Sequence, residues 1–232
     1  MAVTALIVYV VAMGLAFGWR TAVHRRRTGD TGLRLDAGPA GSVAWWAKTA
    51  FVAAIALGLA GPVAATAGMA GLAVLDHPAV AAAGLVIALS GTAATLAAQL
   101  AMGASWRIGV NAGERTDLVT GGPFALARNP IFTAMVTTSA GLTLMVPNPV
   151  AVLALAVLVA AVELQVRAVE EPYLLAAHGR AYQGYAARVG RFVPGLGRLP
   201  APDATAPDAT APDATAPDAT APARGSSPAR GR

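Results

Sequence analysis

The sequence predicts an all-α membrane protein: a polytopic bundle of about five spans with a C-terminal helical hairpin and an interfacial amphipathic segment. Three observations predict it. Of the 232 residues, 56% are hydrophobic and 12% charged, where soluble domains carry roughly 25% charged residues. Mean hydropathy is +0.57, and the stretch from about Pro200 is polar and repetitive, so the apolar residues crowd into the part before it. Within that part, uncharged apolar runs recur at lengths that cross about 30 Å of hydrocarbon at about 1.5 Å per residue.

The first run is Ala2 to Trp19, ended by Arg20 and the cluster Arg25, Arg26, Arg27. No basic residue precedes it and it has no small-residue cleavage pattern, so it reads as a retained span. The second extends from about Ala44 to Leu75, too long for one perpendicular helix and interrupted at Gly61-Pro62. It is either a tilted, kinked span or a span followed by a short turn of helix outside the membrane. The third covers Ala79 to Gly103, the fourth Ile131 to Val146 and the fifth Val150 to about Val166. Residues 1–103 thus hold the N-terminal spans, 104–199 a loop, hairpin and amphipathic segment, and 200–232 a tail. In the tail Pro-Asp-Ala-Thr-Ala repeats four times from Pro202. A period of five with a proline in every copy supports neither helix nor strand, which predicts a disordered spacer.

Basic residues set the orientation. The connections 76–78 and 147–149 carry no Lys or Arg, whereas 20–48 carries six, 104–130 three and the chain beyond Val166 eight, which accounts for all 17. Five alternating spans place all of them on one face, so the expected protein is a multi-pass cell-membrane protein with its N-terminus outside and its C-terminus cytoplasmic. The pI near 10.4 then reports topology and anionic headgroups, and a nucleic-acid partner is not expected. Absence of cysteine excludes disulfides and a thiolate nucleophile, and His24, His77 and His178 are too scattered to suggest a metal site.

Ionisable residues at the ends of spans are the functional suspects. They gather in the loop from Ser105 to Pro130 and in the segment from Glu163 to Pro194. Three residues, Pro147-Asn148-Pro149, join spans four and five, so the hairpin brings Arg128 and Glu170 to one interface. Each cluster also has a structural explanation. Asn129-Pro130 suits a helix start, and Glu170-Glu171-Pro172 suits an acidic first turn. Glu163, Arg167 and then Glu170 or Glu171 are spaced as an ion-pair ladder. Glu163, however, stands inside an apolar stretch, where a charge costs about 2.5 kcal/mol or more on insertion. After Pro172, Leu174, Leu175, Tyr182, Tyr185 and Val189 alternate with Arg180, Arg188 and Arg191 in an amphipathic pattern broken near Gly179 and Gly184.

At these residues the sequence resembles the isoprenylcysteine carboxyl methyltransferase and phospholipid methyltransferase family of integral membrane enzymes. The matching features are Gly122-Pro123-Phe124, Arg128-Asn129-Pro130 with Phe132, Glu170-Glu171, and Gly179 with Tyr182, Tyr185 and Pro194. They cover about Ser105 to Pro194. Asn129 stands where many members have His, and Phe132 where many have Tyr. The resemblance implies an S-adenosylmethionine-dependent methyltransferase whose cofactor site lies at the cytoplasmic end of the last spans. By the same carry-over Gly122, Pro123, Arg128, Asn129, Pro130, Glu170 and Glu171 would line the cofactor site, and Tyr182 and Tyr185 would close it.

The expected substrate is a lipid or prenylated small molecule, with a carboxylate the first candidate acceptor. A carboxylate needs only a positioning cation, Arg128 or Arg167. An amine would need a proton acceptor, Glu163 or Glu171. An NADPH-dependent membrane reductase of related fold and a non-enzymatic scaffold or transporter are the alternatives.

Overall fold

A computed structural model of the chain describes residues 1–34, 38–109 and 117–202, and the regular structure among them is helical. Most of the repeat tail, with the expectation of disorder there, lies outside the described residues.

The first span is longer than the apolar run that marks it. Helix α1 (Ala2–Met13) passes through a π-helical stretch, Gly14–Trp19, into α2 (Arg20–Thr28). Its 27 residues extend about 40 Å, so the basic cluster Arg25 to Arg27 forms its last turn, where cations suit the helix dipole. Gly29 ends it in the left-handed region, φ 78°.

Helix α3 (Val43–Thr66) starts at Ser42, whose side chain accepts from the Trp45 amide, and runs through Pro62 without a break. The segment 67–77 continues in turns, so the apolar stretch 44–75 is one helix plus a short cap. Helix α4 (Pro78–Ala101) has Pro78 in its first turn and His77 as N-cap, its Nδ1 accepting from Ala79 N at 3.1 Å. Helix α5 (Pro130–Met145) has 16 residues, about 24 Å, short of a full hydrocarbon crossing. Helix α6 (Pro149–Gln165) then runs through a second π-helical stretch, Val166–Glu170, into α7 (Glu171–Arg188). Of the two expected breaks in that segment only Gly179 is one (φ 49°, ψ −126°); Gly184 stays helical. Four of these helices are long and apolar enough to cross a membrane, and Pro130–Met145 is a shorter apolar fifth. The protein is a polytopic all-α bundle.

α4 packs along α5, and α3 along α6. The α4–α5 seam has no room for side chains at its glycines. A Cβ on Gly91 would lie 2.6 Å from Thr138 N, and one on Gly84 2.7 Å from the Gly141 carbonyl. Small residues of this kind let helices approach where lipid offers no hydrophobic drive. The hydroxyls of Thr92, Thr95 and Thr138 donate to carbonyls one turn back, at 2.8–3.0 Å, so these polar groups are satisfied within their own helices.

The turn between α5 and α6 is buried. Asn148 is 1% exposed; its Nδ2 donates to the Gly61 carbonyl at 2.9 Å and its Oδ1 accepts from Ala151 N at 2.9 Å. Leu72 N bonds the Pro147 carbonyl at 2.7 Å, drawing the 67–77 segment over this end. The opposite end carries the polar residues.

Candidate active site at the polar end of the bundle

A π-helical stretch decides which acid faces which way. In an α-helix Glu163, Arg167 and Glu170 or Glu171 would share one face, but Val166–Glu170 is wound with five-residue hydrogen bonding, which rotates the helix beyond it. Gln165 Nε2 bonds Glu170 Oε1 at 3.2 Å across five residues. The expected ladder therefore stops after one rung. Glu163 and Arg167 pair with each other on an exposed surface, Glu170 turns to a cavity, and Glu171 turns to two arginines.

Those arginines build the frame of the site. Arg128 donates Nη2 to Glu171 and to the Gly197 carbonyl (3.0 Å), and Nη1 to the carbonyls of Ala186 (3.0 Å) and Val189 (2.6 Å). Arg191 holds Glu171 from the other side, Nε to Oε1 and Nη2 to Oε2, both at 2.8 Å. The two guanidinium groups together hold the Glu171 carboxyl below the usual carboxylate range against the desolvation that opposes them. Glu171 is 6% exposed and Arg128 equally so, which makes this a buried, charge-assisted network.

Backbone bonds complete the frame. Arg128 N bonds the Gly190 carbonyl at 2.8 Å, Asn129 N the Arg191 carbonyl at 3.0 Å, and Arg191 N the Leu196 carbonyl at 2.7 Å. Asn129 is the N-cap of α5 by position, yet its side chain makes no capping bond; Nδ2 donates instead to the Arg191 carbonyl at 3.1 Å. Thr133 Oγ1 reaches the Phe192 carbonyl at 2.8 Å. The loop after α7 is thereby stitched to the start of α5.

Inside this frame lies a cavity of about 400 Å³. Its polar lining includes Lys48, Arg107, Asp117, Arg128, Asn129, Glu170, Tyr173 and His178. Arg107 Nη2 donates to Tyr173 Oη at 3.1 Å and stacks over that ring at 5.6 Å. Burial pushes the Glu170 carboxyl up to about 7 despite the Gln165 bond and the nearby Arg107 charge. From there the cavity continues along Phe51, Val52, Ile55 and Met135 into the membrane helices, with Phe51 and Phe132 edge to face at 6.2 Å.

Of the residues expected at a site, the structure brings Arg128, Asn129, Pro130, Glu170, Tyr182 and Tyr185 to this cavity. Tyr182 and Tyr185 are buried in its wall, and Tyr185 Oη donates to the Phe124 carbonyl at 2.6 Å. Glu171 stands behind it as the counter-ion of the frame. Gly122 and Pro123 form a 3-10 turn whose Phe124 carries that contact; they do not line the cavity. Glu163 and Arg167 do not line the cavity; they pair with each other across the start of the π-helical stretch, and the Glu163 charge also acts on Arg191 of the frame. Arg128 was expected as a positioning cation, but its Nη donors are spent on protein partners. Sequence pattern did not single out Arg191, Arg107, Tyr173, His178 or Gln165 for the site. All five lie within the two polar clusters, which was a usable signal; what the sequence did not indicate was the pairing of Arg191 with Glu171, twenty residues away.

Residues 78–181 match the phospholipid methyltransferase family. The match takes in 104 of the 232 residues, under half of the chain. The family region thus contains Arg128, Asn129, Glu170 and Glu171, while Tyr182, Tyr185 and Arg191 lie just beyond its matched end. The chain is also similar to the solved structure of the eukaryotic intramembrane Ras methyltransferase, isoprenylcysteine carboxyl methyltransferase, at 20% identity and a TM-score of 0.52. That match covers 82% of this chain and 66% of the other, just under two thirds, and is a likeness of fold. No curated protein matches the chain.

Proposed function

We propose that the chain is an integral membrane S-adenosylmethionine-dependent methyltransferase that modifies a lipid or prenylated substrate, with a carboxylate as acceptor. One observation carries this reading: a single cavity joins a charged end, at Arg107 and Glu170, to an apolar arm between membrane helices. A water-soluble cofactor and a lipid-borne acceptor need to meet in such a place. The topology that goes with it has the N-terminus outside and the polar end cytoplasmic, where the cofactor is found.

The residues present fit the cofactor. An amino-acid end carries an ammonium and a carboxylate, and the charged end offers the Glu170 carboxylate, the Arg107 guanidinium and the Ile131 and Phe132 amides in the first turn of α5, for which the helix itself supplies no acceptor. Tyr173 and Tyr182 supply aromatic wall for a ring. S-adenosylmethionine, when bound, supplies a methyl group on a sulfonium. Glu170 would hold the ammonium and set its depth. Arg128, Glu171 and Arg191 act as positioning residues, fixing the loop after α7 against α5 so that the cavity keeps its shape. The apolar arm excludes water and holds the acceptor's chain, which leaves the acceptor group at the charged end. A carboxylate brings its own lone pair there and needs no base.

Titration of the protein in detergent with S-adenosylmethionine tests the first step: saturable binding is expected, and none at high micromolar concentration would overturn the reading. Incubation of a lipid extract with methyl-tritiated cofactor tests the acceptor. Base-labile label is expected for an ester; stable label would replace the carboxylate by nitrogen, hydroxyl or carbon.

A further inference from the structure

A second cavity, of about 60 Å³, lies deeper in the bundle, walled by α1, α3, α4, α5 and α6. Among the described residues, Ile55 and Met135 line both cavities, and no other residue does. The walls adjoin on two other helices: on the first, neighbouring Phe17 and Ala16 face the large and the small cavity, and on α4 Gln99 faces the large and Thr95, one turn away, the small. Ile55 and Met135 therefore stand at the boundary the two cavities share.

That boundary is anchored on one side and movable on the other. Tyr9 Oη donates to the Ile55 carbonyl at 2.5 Å, and the Tyr9 ring lies so close to Gly58 that a Cβ there would come within 2.9 Å of it. Ile55 is thus fixed where α1 meets α3, and its branched side chain is stiff. Met135 is unbranched, with three rotatable bonds, and such side chains reshape readily around irregular space.

We infer that Ile55 and Met135 form the floor of the substrate channel and set the length of hydrocarbon chain the protein accepts. This rests on the methyltransferase reading, in which the acceptor is held by its chain. A chain entering from the charged end descends the apolar arm and stops at this floor. The space below admits a longer chain only when Met135 moves aside. The hydroxyls of Tyr9, Thr92, Thr95, Thr138 and Thr143 in the lower wall are bonded to backbone carbonyls, which leaves a mainly apolar surface; modest apolar cavities take apolar ligands, so the lower space is a reserve for chain carbons.

The test is displacement of a fluorescent polyene fatty acid from the full-length protein in detergent by saturated fatty acids of increasing length. Affinity is expected to rise about fourfold per methylene, the value of a buried CH₂, up to a limiting length and then level off. Met135→Ala moves that limit to longer chains by about three methylenes, the size of the side chain removed. Ile55→Phe moves it to shorter ones, and decides the matter if Met135→Ala fails to fold. A limit that neither variant moves, the absence of a limit, or no displacement at all overturns the floor. Titration of the same samples with S-adenosylmethionine separates the two ideas. Cofactor binding with an unmoved limit discards the floor and keeps the methyltransferase; a limit that moves in a protein without cofactor binding does the reverse.

Discussion

Where α4 meets α5, the backbones approach over Gly84, Gly91 and Gly141; where the loop after α7 meets the start of α5, the contact is made by Arg128, Glu171, Arg191 and a run of backbone hydrogen bonds. The first contact is made by removing atoms, the second by pairing charges. Inside lipid there is little to gain from covering apolar surface with apolar surface, so close packing and internally satisfied hydroxyls hold the seam. At the polar end burial of charge is costly, and the arginine–glutamate network persists because each Arg128 Nη nitrogen and each Glu171 carboxylate oxygen has a partner. Damage to the seam should therefore lower the stability of the whole bundle. Damage to the network should open the site.

The sharpest way to break this division is Glu171→Gln, which leaves Arg128 and Arg191 without their counter-ion. Loss of one partner of a buried pair costs about 3–5 kcal/mol, so cofactor binding should disappear and the 189–199 loop should become sensitive to limited proteolysis. Retained binding would show that the frame does not shape the site. Gly141→Ala should cost about 1–3 kcal/mol by overpacking, because its Cβ would meet the backbone of Ala88 and Gly84. The expected readout is a lower melting temperature in detergent, with unchanged cofactor affinity in the fraction that remains folded.

Glu170 allows a finer test. Its carboxyl is pushed up to about 7, so it gains a proton as pH falls through that value and loses the charge that would hold an ammonium. Cofactor affinity should then fall towards about tenfold per pH unit below that pKa, and Glu170→Gln should bind weakly at every pH with a flat profile. A pH dependence that survives the substitution would assign the titration elsewhere. The smallest effect belongs to Glu163→Gln or Arg167→Ala. Their side chains are 39% and 60% exposed, and such pairs contribute about 0.3–0.5 kcal/mol, so cofactor affinity should change by less than about threefold.

Much of the site was legible because its residues come in short local groups. Arg128-Asn129-Pro130 and Glu170-Glu171 stand at the two open ends of a hairpin whose three-residue turn leaves no other arrangement. Arg191 was not legible, because its approach to Glu171 depends on the backbone pairing of Gly190 and Arg191 with Arg128 and Asn129, contacts about 62 residues apart in sequence. The separation of Glu163 from Glu170 was hidden for another reason: spacing assumes about 3.6 residues per turn, and the π-helical stretch inserts an offset that no residue type announces.

By itself the sequence determined that this chain is a helical membrane protein, roughly where each helix lies, and which end gathers the ionisable residues, since hydrocarbon thickness and the cost of buried charge leave few alternatives. Tertiary structure alone decided that Arg128 and Glu171 brace the site while Glu170 faces its cavity, that Glu163 and Arg167 stay outside, and that the cavity reaches Ile55 and Met135. Those outcomes depend on helix rotation and on contacts between distant segments. Such contacts are settled by packing and hydrogen bonding in three dimensions, which the order of residues along a helix does not record.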